Sequence, residues 1–354
     1  MKAWILHDVG SIRYEETDKP QISENEVLVS VKAVGICGSD IPRIYRSGAH
    51  RMPLIPGHEF SGEVVETGSR ADRGWLNKRV GIFPLIPCGS CMACRKEQYE
   101  MCRQYSYLGS RRDGGFAEYA AVPARNLMEL PQNVTFEQAA MLEPMAVAVH
   151  AMRRVSIAQT DTVVICGLGT IGELLLMFVL ERGVKKVFAI GNKDYQREKV
   201  LALGLPEDQF CDSRREDIKT WTNLRTDGAG ADVFFECVGK NETVAQAVNL
   251  AAPGGSVCLV GNPDTDMRLD QQTYWKILRN QLKVTGTWNS SFFSSLSKKE
   301  GESTDWQYAL ELLEQGRIAP ERLISHRFTL EHLDEGLHMM RDKSEDYLKV
   351  MAVQ

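Results

Sequence analysis

"VVICGLGTIGEL", residues 163–174, decides the fold. A short apolar run leads into three glycines, Gly167, Gly169 and Gly172, and then into a long apolar segment. The first glycine of such a G-x-G-x-x-G pattern permits a tight turn, and the second lets a pyrophosphate approach the backbone. The third allows a helix to pack closely on its strand, while the N–H groups of that helix N-terminus, here around Thr170 and Ile171, face the anion. Away from a strand and a helix the pattern says little, and an ordinary glycine-rich turn explains it equally well. Here the setting is present.

Outward from this turn, short β-rich runs alternate with helical segments. "DTVVIC" (161–166) precedes the helical "IGELLLMFVLERG" (171–183), and "KKVFAI" (185–190) precedes "YQREKVLALG" (195–204). "ADVFFECVG" (231–239), "TVAQAVNLAA" (243–252), "GGSVCLVG" (254–261) and "QLKVTGTW" (281–288) continue the series. The alternation predicts βαβ units and a parallel sheet. Residues 1 to about 130 read differently. "EVLVSVKAV", "FSGEVVETG", "KRVGIFPLI" and "AEYAAVP" are β-type runs between Gly, Pro and Asp turns, which predicts a mostly β domain. Beyond Trp288, residues 289–305 read as a loop, "WQYALELLEQG" (306–316) as a helix, and "YLKVMAV" (347–353) as a strand that pairs back with the first domain.

At 354 residues, two domains are expected, and 43% hydrophobic with 25% charged residues is ordinary for a soluble globular chain. A formal charge of -5 gives no basic field to draw nucleic acid or anionic lipid. The opening "MKAWILHDVG" is too short an apolar run for a signal peptide, and "ELLLMFVLER" (173–182) is too short to span a bilayer. A cytoplasmic protein with small-molecule partners is the expectation.

In a reducing compartment, clustered cysteines point to metal. "PCGSCMACRKEQYEMC" (87–102) holds Cys88, Cys91, Cys94 and Cys102, enough for one closed tetrahedral zinc that fixes a loop. Core packing does not suit so polar a segment, and a redox CxxC pair does not explain all four positions. A second donor set is dispersed: Cys37 in "GICGSD", His58 and Glu59 in "PGHEFSG", and Glu143 in "MLEPMAV". One thiolate, one imidazole and carboxylates suit a catalytic zinc with an open position. Cys166, Cys211, Cys237 and Cys258 lie in strand-like apolar runs and read as packing.

The acid that binds the adenosine ribose of NAD is expected about 20 residues after the glycines. Gly191 stands there, followed by Asn192 and Lys193. A glycine beside a cation leaves room for the 2′-phosphate of NADP; Asp194 reaching back, with Lys193 solvated, is the alternative favouring NAD.

"CGSD", "GHEFSGEVVETG", the cysteine run, "DGGFAEYAAVP", "LPQNVTFEQAAMLEPMAVAVHA", "GLGTIG" and "LISHRFTL" occur in the order found in the zinc-dependent medium-chain dehydrogenase/reductase family, which the whole chain resembles. The glutamate in "LEP" resembles the sorbitol dehydrogenase branch. "CGSDIPRIYRSGAH" and "YLGSRRDGGFAEY" are closer still to the members that oxidise galactitol 1-phosphate. The resemblance implies a GroES-like catalytic domain (1–147 and 290–354) interrupted by a Rossmann domain (148–289), and a homodimer or homotetramer joined through "QLKVTGTW". It implies two zinc ions per chain, the catalytic one on Cys37, His58 and Glu143 with Glu59 as a fourth or alternating ligand, and Asp40 orienting His58.

The function implied is hydride transfer between a polyol phosphate, giving the ketose phosphate, and NAD or NADP. Ser39 is the candidate first proton acceptor, with capping of a helix as its other reading. Pro42 replaces the histidine many relatives carry, so the proton leaves through water, the cofactor ribose or His50. A phosphate needs a cationic clamp, for which Arg43, Arg46 and Arg51 around the "GAH" loop and Arg111 and Arg112 before "DGGF" are candidates. The rival readings are a free-polyol or threonine-type dehydrogenase, and a noncatalytic zinc-stabilised nucleotide-binding protein.

Overall fold

In the computed structural model, residues 1–263, 265–293 and 303–354 are described. The chain forms two compact units, Met1–Pro144 with Ser291–Gln354, and Met145–Ser290. The boundary falls within the helix Leu142–Arg153.

The second unit is a six-stranded, all-parallel sheet. Its strands lie in the order Phe210–Asp212, Lys186–Gly191, Thr162–Cys166, Ala231–Glu236, Ala251–Leu259 and Lys283–Gly286. Strand order therefore reverses beside Thr162–Cys166, where a doubly wound sheet opens a crevice for a nucleotide. All five residues of Thr162–Cys166 are buried, as parallel strands covered on both faces require. Helix Thr170–Glu181 is buried from Gly172 to Val179, which accounts for its almost unbroken apolar sequence. The helix Gln271–Arg279, not anticipated in the sequence, precedes the edge strand; Asp270 caps it through the Thr273 N–H.

The first unit is built on a seven-stranded sheet whose pairings are antiparallel, except between Ile324–Phe328 and Lys349–Val353. Glu26–Ile36 sits at its centre, flanked by Glu59–Thr67 and by the C-terminal strand Lys349–Val353. The terminal "YLKVMAV" thus joins the first domain's sheet. Ala3, Leu6, Val29, Val34, Phe60, Val80, Phe116 and Val350 are among the residues filling its core. The stretch 289–305 read as a loop lies partly, at 294–302, outside the described residues. After it, Thr304 caps helix Asp305–Glu314 in a capping box with Gln307.

Candidate active site and metal centres

Cys91 precedes the one-turn helix Met92–Arg95, which carries Cys94; Cys102 follows the turn Tyr99–Met101. All four sulfurs lie within 4.8 Å of one another, and none is in a disulfide. Sγ–Sγ separations are 3.9 Å for Cys88–Cys94, 3.6 Å for Cys91–Cys94 and 3.9 Å for Cys91–Cys102. A tetrahedron with zinc–sulfur bonds of about 2.3 Å has edges of about 3.8 Å, so the cage fits zinc. Hydrogen bonds from the Ser90 and Cys91 backbone hold the Cys88 thiol down at about 6, whereas burial pushes Cys94 up to about 12. Four sulfurs this close could all be thiolates only around a cation.

The open donor set is assembled by sheet topology. Gly35 is in register with Glu59, and Ile36 with Val350. Cys37 therefore leaves one strand where Glu59 begins the next, with Lys349 alongside. Ligand atoms of Cys37, His58 and Glu59 lie within 4.8 Å of one another. Glu143 is outside that triad; in the first turn of Leu142–Arg153, it accepts a hydrogen bond from Tyr107 Oη at 3.0 Å. The Tyr107 ring lies edge-on to His58, with centroids 5.8 Å apart.

A web of buried charge surrounds these donors. Burial alone depresses His58, but Asp40 and Cys37 push its pKa well above the ordinary value. Asp40 Oδ1 is 3.5 Å from His58 Nδ1, Asp40 Oδ2 accepts from the Cys37 N–H at 3.0 Å, and Arg43 pairs with Asp40. His58 Nδ1 makes no hydrogen bond, and the Asp40 contact is an ion pair. Burial raises the Glu143 pKa. The Lys349 ammonium, 2% exposed as a residue, pairs with Glu59 Oε2 at 2.5 Å. A Cβ on Gly35 would stand 2.3 Å from Glu59 Oε2, so only glycine leaves room for this carboxylate. A sulfur, an imidazole and a carboxylate converging at this distance, with the imidazole backed by an acid, suit a zinc with an open position.

Ser39 does not cap a helix through its side chain; its Oγ donates to Cys37 Sγ at 3.3 Å. Arg43 Nη2 reaches Ser39 Oγ at 3.5 Å. His50 is exposed and has no hydrogen bond to Ser39, although burial and the charges of Arg111 and Arg43 lower its pKa. Among the other arginines, Arg112 pairs with Glu26 and Arg51 with Asp113, and Arg46 is exposed. Arg111 lies over the Tyr105 ring.

In the second unit Gly167 has φ +96°, and a Cβ on Gly172 would stand 1.9 Å from Gly167 O, which fixes glycine at both. A Cβ on Gly169 would meet nothing within 4 Å, and Gly169 precedes helix Thr170–Glu181 with no side chain capping it. This open helix N-terminus fits a pyrophosphate. At Gly191 a Cβ would meet Leu168, Gln196 and Phe210 at 2.9–3.1 Å. Gln196 Oε1 accepts from Asn192 N, and Lys193 precedes helix Asp194–Ala202. Asp194 is engaged by Arg214, which also binds Asp212.

Two residues escaped the sequence reading. Tyr107 opens "YLGSRRDGGFAEY", a stretch that draws attention to its arginines and not to this ring. Lys349 gave a usable signal: a lysine inside the apolar run "YLKVMAV" needs a buried counter-charge.

Residues 23–132 match the alcohol dehydrogenase GroES-like domain, and residues 170–315 the zinc-binding dehydrogenase domain. Galactitol 1-phosphate 5-dehydrogenase of Escherichia coli K12 is 35% identical over 339 residues, 95% of each chain. The crystal structure of galactitol-1-phosphate dehydrogenase from Escherichia coli superposes with a TM-score of 0.91 at 33% identity, covering 100% of both chains. A zinc-binding dehydrogenase of Sinorhizobium meliloti, solved bound to NADP, gives a TM-score of 0.88 at 28% identity, covering 100% of this chain and 99% of that one. With both of its units matched and its fold shared end to end, this chain belongs to the zinc-type medium-chain alcohol dehydrogenase family.

Proposed function

We propose that the protein oxidises a secondary alcohol of a hexitol phosphate, of the galactitol 1-phosphate kind, to the ketose phosphate with NAD or NADP, and runs the reverse reduction. The observation that carries this reading is the convergence of Cys37, His58 and Glu59 within 4.8 Å beside a serine hydroxyl. The similarity to galactitol 1-phosphate 5-dehydrogenase supports the substrate class.

Cys37, His58 and a carboxylate, Glu143 or Glu59, would hold a zinc ion that would supply Lewis acidity to the substrate hydroxyl, and the glycine turn would hold a nicotinamide cofactor that would supply the hydride acceptor. Ser39 Oγ, hydrogen-bonded beside Cys37, takes the hydroxyl proton in exchange for its own. With Pro42 in place of a histidine and no hydrogen bond from Ser39 to His50, Ser39 Oγ would pass that proton on to water. Asp40 holds His58 in orientation, Tyr107 holds Glu143, and Lys349 holds Glu59 through an ion pair. The four-cysteine cage takes a second zinc that only braces its loop.

The glycine at position 191 supports acceptance of the 2′-phosphate of NADP, since the neighbouring acids, Asp194 and Asp212, are both paired with Arg214. Oligomerisation through the second unit's edge strand Lys283–Gly286 is supported by exposed apolar side chains around it: Tyr274, Trp275, Leu278, Val284 and Trp288. Light scattering on the purified chain tests this; a monomer at micromolar concentration rejects it.

The deciding experiment measures reduced cofactor with galactitol 1-phosphate and with galactitol, each with NAD and NADP. Equal turnover of the two polyols rejects the phosphate reading, and a kcat/KM with NAD about tenfold above that with NADP rejects NADP preference.

A further inference from the structure

We propose that Arg111 receives the phosphate group of the substrate and makes the enzyme selective for phosphorylated over free polyols. This rests on the hexitol-phosphate reading above.

Of the five candidate arginines, three are already committed. Arg43 is paired with buried Asp40, Arg51 with Asp113 and Arg112 with Glu26. Arg46 is exposed, and no ion pair among the described residues fixes its direction. Arg111 differs from all four. It has no acidic partner among the described residues, yet its guanidinium is held in place, lying 4.3 Å from the centroid of the Tyr105 ring. Stacking on an aromatic face leaves the guanidinium edge, with its forked donors, available to a planar or tetrahedral oxyanion.

Its Nε is buried and has no hydrogen-bond partner. A buried donor left without a partner is destabilising, and a ligand oxygen relieves that penalty. Phosphate is the ligand suited to relieve it, because arginine binds phosphate through two parallel charge-assisted bonds.

The position also fits. Tyr105 packs edge-on against Tyr107, with centroids 6.0 Å apart, and Tyr107 touches both Glu143 and His58. Two tyrosine rings thus separate the guanidinium from the open donor set. The turn joining them is stiff, since the Tyr107 carbonyl accepts the N–H groups of Ser110, Arg111 and Arg112. A substrate with its reacting carbinol at one end of a hexitol and its phosphate at the other has this elongated shape. The positive charges of Arg111 and Arg43 both reach His50, so an anion near that imidazole meets cations from two loops.

The test uses the zinc-loaded enzyme, with galactitol 1-phosphate, galactitol and inorganic phosphate as probes. In R111Q, the ratio of kcat/KM for the phosphate to that for the free polyol is expected to fall at least tenfold, mainly through KM of the phosphate. R112Q should keep the wild-type ratio. Inorganic phosphate should compete with galactitol 1-phosphate in the wild type and lose at least tenfold in inhibition in R111Q. R111K, which keeps the charge without the fork, should show an intermediate loss and serves if R111Q does not fold.

A wild-type ratio preserved in R111Q, or in R111K where only that variant folds, overturns the role of Arg111 while leaving the hexitol-phosphate reading intact. A wild-type ratio near one instead rejects that reading, and the selectivity assigned to Arg111 falls with it.

Discussion

The two cysteine-containing centres are built on opposite plans. The cage at Cys88, Cys91, Cys94 and Cys102 takes all four donors from fifteen consecutive residues. The open centre draws Cys37, His58 and Glu59 from the adjoining ends of two strands, with Lys349 from a third at the far end of the sequence. A closed site is a local property of its sequence, whereas an open one is a property of the sheet. Loss of a cage thiolate should spread as instability; loss of the open site's Cys37 thiolate should stay chemical.

The largest expected effect follows directly. Cys37→Ser should lower turnover by at least about a thousandfold and reduce zinc from two to one per chain, with little change in Tm. Cys91→Ser should also lose one zinc, but with a fall in Tm first and activity second. Elemental analysis, kinetics and calorimetry on both variants check the contrast, which breaks if Cys37→Ser stays active or if both variants lose stability equally.

Next comes the charge web, which the cage lacks. Removing Lys349 as Lys349→Met leaves Glu59, 1% exposed, without its cation. Breaking one side of such a pair costs about 3–5 kcal/mol, whereas replacing both sides is close to neutral. Lys349→Met should therefore lower Tm by several degrees, and Glu59→Gln with Lys349→Met should recover most of it. If the double variant is no more stable than the single one, the pair is not what holds Glu59.

How much of this was legible depends on the distance between partners in sequence. The glycine turn at Gly167–Gly172 and the four-cysteine run could be read directly, because a helix N-terminus and a loop-bound metal are each made within one short segment. The donors Cys37 and His58 were visible as residue types, but their meeting depends on the Gly35–Glu59 register, which no local pattern encodes. Lys349 announced only that it needed a partner. Arg111 and Arg112 are neighbours of the same type, and only the fold separates one stacked on Tyr105 from one paired with Glu26.

Glu173 sharpens the comparison from the other side, as a buried carboxyl that the fold has not paired. It sits in the helix that follows the glycine turn, 0% exposed, and neither carboxyl oxygen has a hydrogen-bond partner. Burial pushes its pKa up to about 8, with Lys199 opposing only in part. Because the folded value lies above the unfolded one, the carboxyl's contribution to stability is full below about pH 4.5 and is lost as pH rises towards 8. Above 8 the group is ionised folded and unfolded, and the cost stays constant. At about 1.4 kcal/mol per pK unit the loss amounts to a few kcal/mol. Glu173→Gln keeps the shape and removes the titration, so its Tm advantage over the wild type should grow by a few degrees between pH 5 and pH 9. An advantage that does not change across that range would mean that Glu173 finds a counter-charge when it ionises.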